Sequence, residues 1–164
     1  MTARTANAGS TTTVKGPPLA RLFATAFRQL IDGLHERLAS RGWSDVRPAY
    51  GFVLLSIRDS PTTGTDVAAL LGVTKQAASV IIDSMVAARY VTRSIDIDDG
   101  RRRTITMTAR GHRFLAAVEE IYVELEAEWA TVIGPANVEK LRTDLAHVLR
   151  STNSGELPPV RPTW

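Results

Sequence analysis

At 164 residues the chain is long enough for one sizeable core and short for two independent domains. A hydrophobic share of 44% and a charged share of 23% fit a soluble globular protein, cytoplasmic by default, with no apolar run long enough to span a bilayer. The sequence has no cysteine and a net charge of +3, with a pI of about 9.7, which excludes disulfides, thiolate nucleophiles, Cys-type zinc sites and thiol redox sensing.

Residues 1–17 lack the apolar stretch of a secretory signal and read as a flexible tail. The first helix is predicted from Pro18 to about Arg41. Leu19, Leu22, Phe23, Ala26, Phe27, Leu30, Ile31, Leu34 and Leu38 recur at three- and four-residue steps along one stripe. Gly42 is a stop signal. Pro48, suited to a first helical position, opens a second helix through Arg58, with Tyr50, Val53, Leu54 and Ile57 on its apolar side. Asp59, Ser60 and Pro61 end it. Thr63 and Asp66 form a capping box for a third helix that stops at Gly72, and Thr74 caps a fourth running from Lys75 to about Ala88.

Val91 to Ile95 and Thr104 to Met107 alternate in polarity and are rich in β-branched residues, so they read as a hairpin. Asp99-Gly100 supplies the turn signal within an extended loop. Thr108 caps the longest helix, through about Ile133. Its apolar residues Phe114, Val118, Ile121, Leu125, Trp129 and Val132 advance nearly as a coiled-coil seam. Gly134-Pro135 breaks it and starts a sixth helix striped by Val138, Leu141, Leu145, Val148 and Leu149. Residues 151–164, rich in Ser, Gly and Pro, read as a second flexible tail.

Charge is segregated along this order. Arg89, Arg93, Arg101, Arg102, Arg103, Arg110 and Arg113 face only Asp96, Asp98 and Asp99 in their own segment. The next stretch carries Glu119, Glu120, Glu124, Glu126 and Glu128 with no Lys or Arg before Lys140. One basic face offered to a polyanion is the expectation, and ordinary solvated faces are the alternative.

The third and fourth helices have the pattern of a helix-turn-helix. Ala68 and Ala78 are small where the helices cross, Gly72 lies in the turn, and Val67, Leu71, Val73, Ile81, Ile82 and Met85 supply a local core. Lys75, Gln76 and Ser79 fall on the opposite face. Gln76 can pair in a bidentate way with adenine and Lys75 can donate to guanine, while Thr74 or Ser79 can hold phosphate. A helical hairpin with a wet polar face is the competing reading, but it gives no reason for the basic hairpin that follows.

With TGTDVAALLGVTKQA for the reading helices and DIDDGRRRTITMTARG for a wing and the start of the next helix, residues 18–150 resemble the MarR family of winged helix-turn-helix regulators. The resemblance implies a mainly α fold with a small β-hairpin wing, in which residues 47–107 form the DNA-binding region and residues 18–46 and 108–150 form dimerisation helices. By position Arg101 would enter the minor groove, with Arg102 and Arg103 also basic, and Asp99 or Asp96 would steady the wing. Two departures stand out. Val80 lies where many relatives carry a phosphate-binding Arg. Arg89 replaces a glycine at the end of the recognition helix, where a left-handed conformation costs about 1 kcal/mol.

A single recognition helix reads only a few base pairs, so the expected partner is double-stranded DNA with a near-palindromic operator, bound by a homodimer. The surplus apolar stripes of the first, fifth and sixth helices would build that dimer, the alternative being that they only pack on one another within one chain. The family resemblance further implies a repressor released by a small aromatic or lipophilic ligand, for which Trp43, Arg47 and Tyr50 are the candidate wall. Trp and Tyr at helix starts are more often plain core, and that reading stays open. His35, His112 and His147 are too widely spaced to suggest a metal site, and His112 is better placed for a phosphate. No phosphate-cradling loop or nucleophile elbow is present in the sequence, so neither an enzyme nor a cofactor is expected. A nonspecific architectural DNA binder and a protein-interaction winged helix remain the alternatives.

Overall fold

The computed structural model describes residues 16–44, 46–95 and 103–159. Six helices and three short strands follow in the order α1 (Leu19–Ser40), α2 (Pro48–Ser56), β1 (Thr62–Thr63), α3 (Gly64–Leu71), α4 (Lys75–Ala87), β2 (Val91–Ile95), β3 (Arg103–Met107), α5 (Ala109–Ile133) and α6 (Pro135–Ser151). The fold is mainly α with a small antiparallel sheet, as expected. The sheet has three strands rather than the two of a plain hairpin, in the order β1-β3-β2. Thr62 and Thr63 pair with Ile105 and Thr104. A two-residue strand has no periodicity to read, so the sequence marked Thr63 only as a cap.

Local chemistry explains the boundaries. The Thr63 side chain accepts from the Asp66 N–H, and Asp66 reaches back to the Thr63 N–H at 3.1 Å, completing the capping box. Thr74 accepts from the Ala77 N–H and Thr108 from the Gly111 N–H. Three helices end in the same pair of reversed hydrogen bonds around a left-handed residue. Trp43 bonds to Leu38 around Gly42, Val73 to Ala68 around Gly72, and Tyr90 to Met85 around Arg89. The left-handed residues have φ of 83°, 59° and 61°. Arg89 thus adopts the conformation for which glycine is the usual choice.

The core lies where α2, α3, α4, the sheet and the first half of α5 meet. Val53, Leu54, Val67, Leu71, Ala78, Ile82, Met85 and Phe114 are all buried there. From α1 only Leu34 and Leu38 are buried, whereas Leu19, Leu22, Phe23 and Phe27 are exposed. α5 buries Phe114, Val118, Ile121 and Leu125, then emerges, leaving Val132 83% exposed. α6 buries nothing, and its Leu141 and Val148 are exposed. Large apolar residues on each of these three helices therefore lie open to solvent.

The acidic stretch of α5 is less isolated than its own segment suggests. Arg37 pairs with Glu124 and Glu128, Arg41 with Glu120 and Glu124, and Arg58 with Glu119. Arg142 of α6 holds Glu126 at 2.7 Å and Glu139 at 3.0 Å. These exposed pairs contribute little stability each, but they neutralise the negative face of α5. No single described helix is long and apolar enough to cross a membrane.

Candidate nucleic-acid interface

The chain turns through 108° between α3 and α4, within the range of helix-turn-helix crossings. Gly72 makes the turn possible, and the buried Ala68 and Ala78 let the helices approach. Val67, Leu71, Ile82 and Met85 are buried beneath them, with Val73 and Ile81 partly so. This packing fixes which face of α4 is outward. Thr74, Lys75, Gln76, Ser79, Val80 and Asp83 are all exposed.

Lys75 and Ser79 share one groove with Arg103 of β3 and with Thr63, Gly64, Thr65 and Asp66 at the start of α3. The groove continues past Asp83 and Arg93. Strand β1 is what closes it. By pairing with β3 it sets the N-terminus of α3 beside Arg103. The side chains at the groove are tethered in sequence. Ser79 Oγ lies 3.5 Å from Asp83 Oδ2, and Asp83 in turn holds the Arg93 guanidinium. Thr74 caps α4 with its oxygen as acceptor, which leaves the hydroxyl hydrogen free to be donated outward. Arg93 points to this groove from β2, a placement that the alternation of β2 allowed but that the sequence reading did not assign.

Four residues expected at this interface lie outside the described residues. They are the wing arginines Arg101 and Arg102 and the carboxylates Asp96 and Asp99. The Asp99-Gly100 turn is outside as well. His112 is exposed in the first turn of α5.

The three residues expected to wall a ligand pocket go to different places. Arg47 lines an apolar cleft between α1, α2 and α5, together with Leu34, His35, Val46, Phe52 and Tyr122. The cleft is nearly filled, with room for about one water. Burial holds the Tyr122 hydroxyl above its ordinary pKa. Trp43 and Tyr50 are instead part of a closed aromatic cluster. Trp43 meets Phe114 edge-on at 5.3 Å, and Tyr90 lies 5.6 Å from Tyr50 and 4.9 Å from Phe114. The Arg110 guanidinium sits 5.1 Å from the Trp43 ring and 4.9 Å from Tyr90, a cation–π arrangement. The Tyr50 hydroxyl is 2.9 Å from Ser84 Oγ. Tyr50, buried with its polar tip satisfied, is core, and Trp43 is half-buried against that core. His35, which the sequence offered only as a metal ligand to be dismissed, lines the cleft with its Nε2 buried and unpaired. Among the described residues no cluster of His, Asp and Glu could hold a metal ion.

The sequence profile of the MarR family matches residues 44–102. No curated protein sequence matches the chain. Solved structures are similar across most of it. The apo form of wild-type MarR from E. coli is 24% identical, with 82% of this chain and 98% of that one covered at a TM-score of 0.66. The transcriptional regulator BldR from Sulfolobus solfataricus is 23% identical, with 81% and 93% covered at 0.65. The F27L mutant of MepR from S. aureus, bound to an oligodeoxyribonucleotide, is 20% identical, with 84% and 100% covered at 0.56.

Proposed function

With residues 44–102 belonging to the MarR family and the described chain sharing the fold of its transcriptional regulators, we propose that this protein is a sequence-specific regulator that binds double-stranded DNA as a homodimer. The observation that carries this reading is the convergence of Lys75, Ser79 and Arg103 on one exposed groove at the start of α4. A helix that presents its first turn outward beside a basic strand suits entry into a major groove. In this reading Lys75 and Gln76 contact base edges, Thr74, Ser79, Arg93 and Arg103 contact phosphates, and Arg101 and Arg102 reach the minor groove, steadied by Asp96 or Asp99.

The homodimer is supported by the large apolar side chains left exposed on α1, α5 and α6, more than single scattered residues would leave. It would place two reading heads on a near-palindromic operator. Release by a small aromatic or lipophilic ligand, with repression as the resting state, is part of the same proposal. The cleft at Arg47, His35 and Tyr122 suits such a ligand better than the sites of Trp43 and Tyr50. Because the cleft is nearly filled, a ligand there would have to part α2 from α1 and α5. It could act only by favouring a head spacing that mismatches DNA.

The test is an anisotropy titration of the full chain against duplexes selected from a random pool. Affinity should fall steeply with salt. Gln76→Ala should cost about 1–3 kcal/mol at the selected site and relax its sequence. Lys75→Ala and Arg103→Ala should weaken binding too, the latter evenly across sequences. Equal competition by bulk genomic DNA would leave the nonspecific architectural reading in its place.

A further inference from the structure

Between Thr62 and Met107, among residues whose side chains are described, Val80 is the only large apolar residue exposed to solvent, at 58%. The other exposed large apolar residues lie on α1, α2, α5, α6 and the segment after α6. Single exposed apolar side chains are common on protein surfaces, so exposure alone decides nothing. Its neighbours decide. Val80 follows Gln76 by four positions and therefore shares its face of α4, one helical turn further along. It adjoins Ser79, which lines the groove with Lys75, Arg103 and Asp66. An arginine at this place could grip phosphate, but an isopropyl group can form neither an ion pair nor a hydrogen bond with it. In a major groove the apolar feature is the 5-methyl group of thymine.

We infer that Val80 is a specificity-determining residue that packs against a thymine methyl, so that α4 reads an A·T-containing step with Gln76 on adenine and Val80 on thymine. One helical turn advances about 5.4 Å, which covers one to two base-pair steps of about 3.4 Å. The two contacts thus fall on adjacent or next-adjacent pairs. This inference rests on the reading of α4 as the helix that enters the major groove.

The experiment begins with duplexes selected from a random pool by the full-length protein. Each thymine of the selected site is then replaced singly by deoxyuridine, which removes only the methyl group. One thymine per half-site should prove sensitive, with binding about fourfold weaker without its methyl, the effect of losing one buried methyl. Val80→Ala should weaken binding to the thymine site and bring the thymine-to-uracil ratio close to one. Val80→Thr, which retains one methyl, should keep part of it. Val80→Arg should abolish the ratio while steepening the salt dependence by about one phosphate contact. Thermal melts check that each variant is folded, as expected for an exposed position. A ratio unchanged in Val80→Ala, or no sensitive thymine at all, overturns the inference while leaving DNA binding intact. Failure to select any duplex overturns the major-groove reading itself.

Discussion

At Arg89 backbone geometry and residue type are at odds, and at Gly111 they are in accord. Arg89 is left-handed at φ 61°, a conformation that glycine adopts without the Cβ clash. Arg89→Gly should therefore stabilise the protein by about 1 kcal/mol in urea unfolding. Gly111 is the reverse case. A Cβ there would lie 2.2 Å from the Tyr90 carbonyl oxygen and 2.6 Å from Met107 Cγ. Gly111→Ala must push α5 away from the start of β2 and should cost about 1–3 kcal/mol, read as a lowered urea midpoint. The strain at Arg89 was legible only through the family resemblance, which puts a glycine at that helix end. The need for Gly111 was visible only as a motif. Its cause is a carbonyl that the chain brings back across the wing. The destinations of Trp43 and Tyr50 were hidden for the same reason, since Phe114 and Arg110 are far away in sequence.

Elements were read more reliably than single contacts. The stripe of α1, the Pro48 start of α2, the Thr63–Asp66 box and the Gly134 break all lie where the pattern put them. Capping chemistry is local, involving residues three apart, so a linear reading can find it. Strand β1 escaped because its identity is conferred by β3. Thr108 shows a cap that does more than local work. Besides accepting from Gly111, its one hydroxyl hydrogen is shared between the Arg89 and Tyr90 carbonyls, at 2.6 and 3.0 Å. It thereby joins the end of α4 to the start of α5. Thr108→Ala should lower stability by about 1–2 kcal/mol. Thr108→Ser, which keeps the hydroxyl, should recover most of it in the same urea titration.

On the scale of the whole molecule, charge and apolar surface were each legible along the chain but not across it. The acidic run of α5 is met by Arg37 and Arg41, whose partners lie 79 to 91 positions away. No window of sequence contains both sides. The surplus stripe on α1, α5 and α6 was legible, and its exposure supports the proposed dimer. Leu141→Asp with Val148→Asp should leave the fold intact, because neither residue is buried. In sedimentation velocity the double variant should move as a monomer at concentrations where the parent protein is dimeric, and its DNA affinity should drop with it. The aromatic cluster has a different consequence. Its rings and guanidinium come from the segment after α1, from α2, from the α4–β2 junction and from α5, so no one of these can melt while the others keep their packing. Heating should accordingly give coincident loss of ellipticity and of Trp43 emission (isolated by replacing Trp129 and Trp164 with Phe), a single cooperative unit rather than a loosening lobe on a persistent stalk.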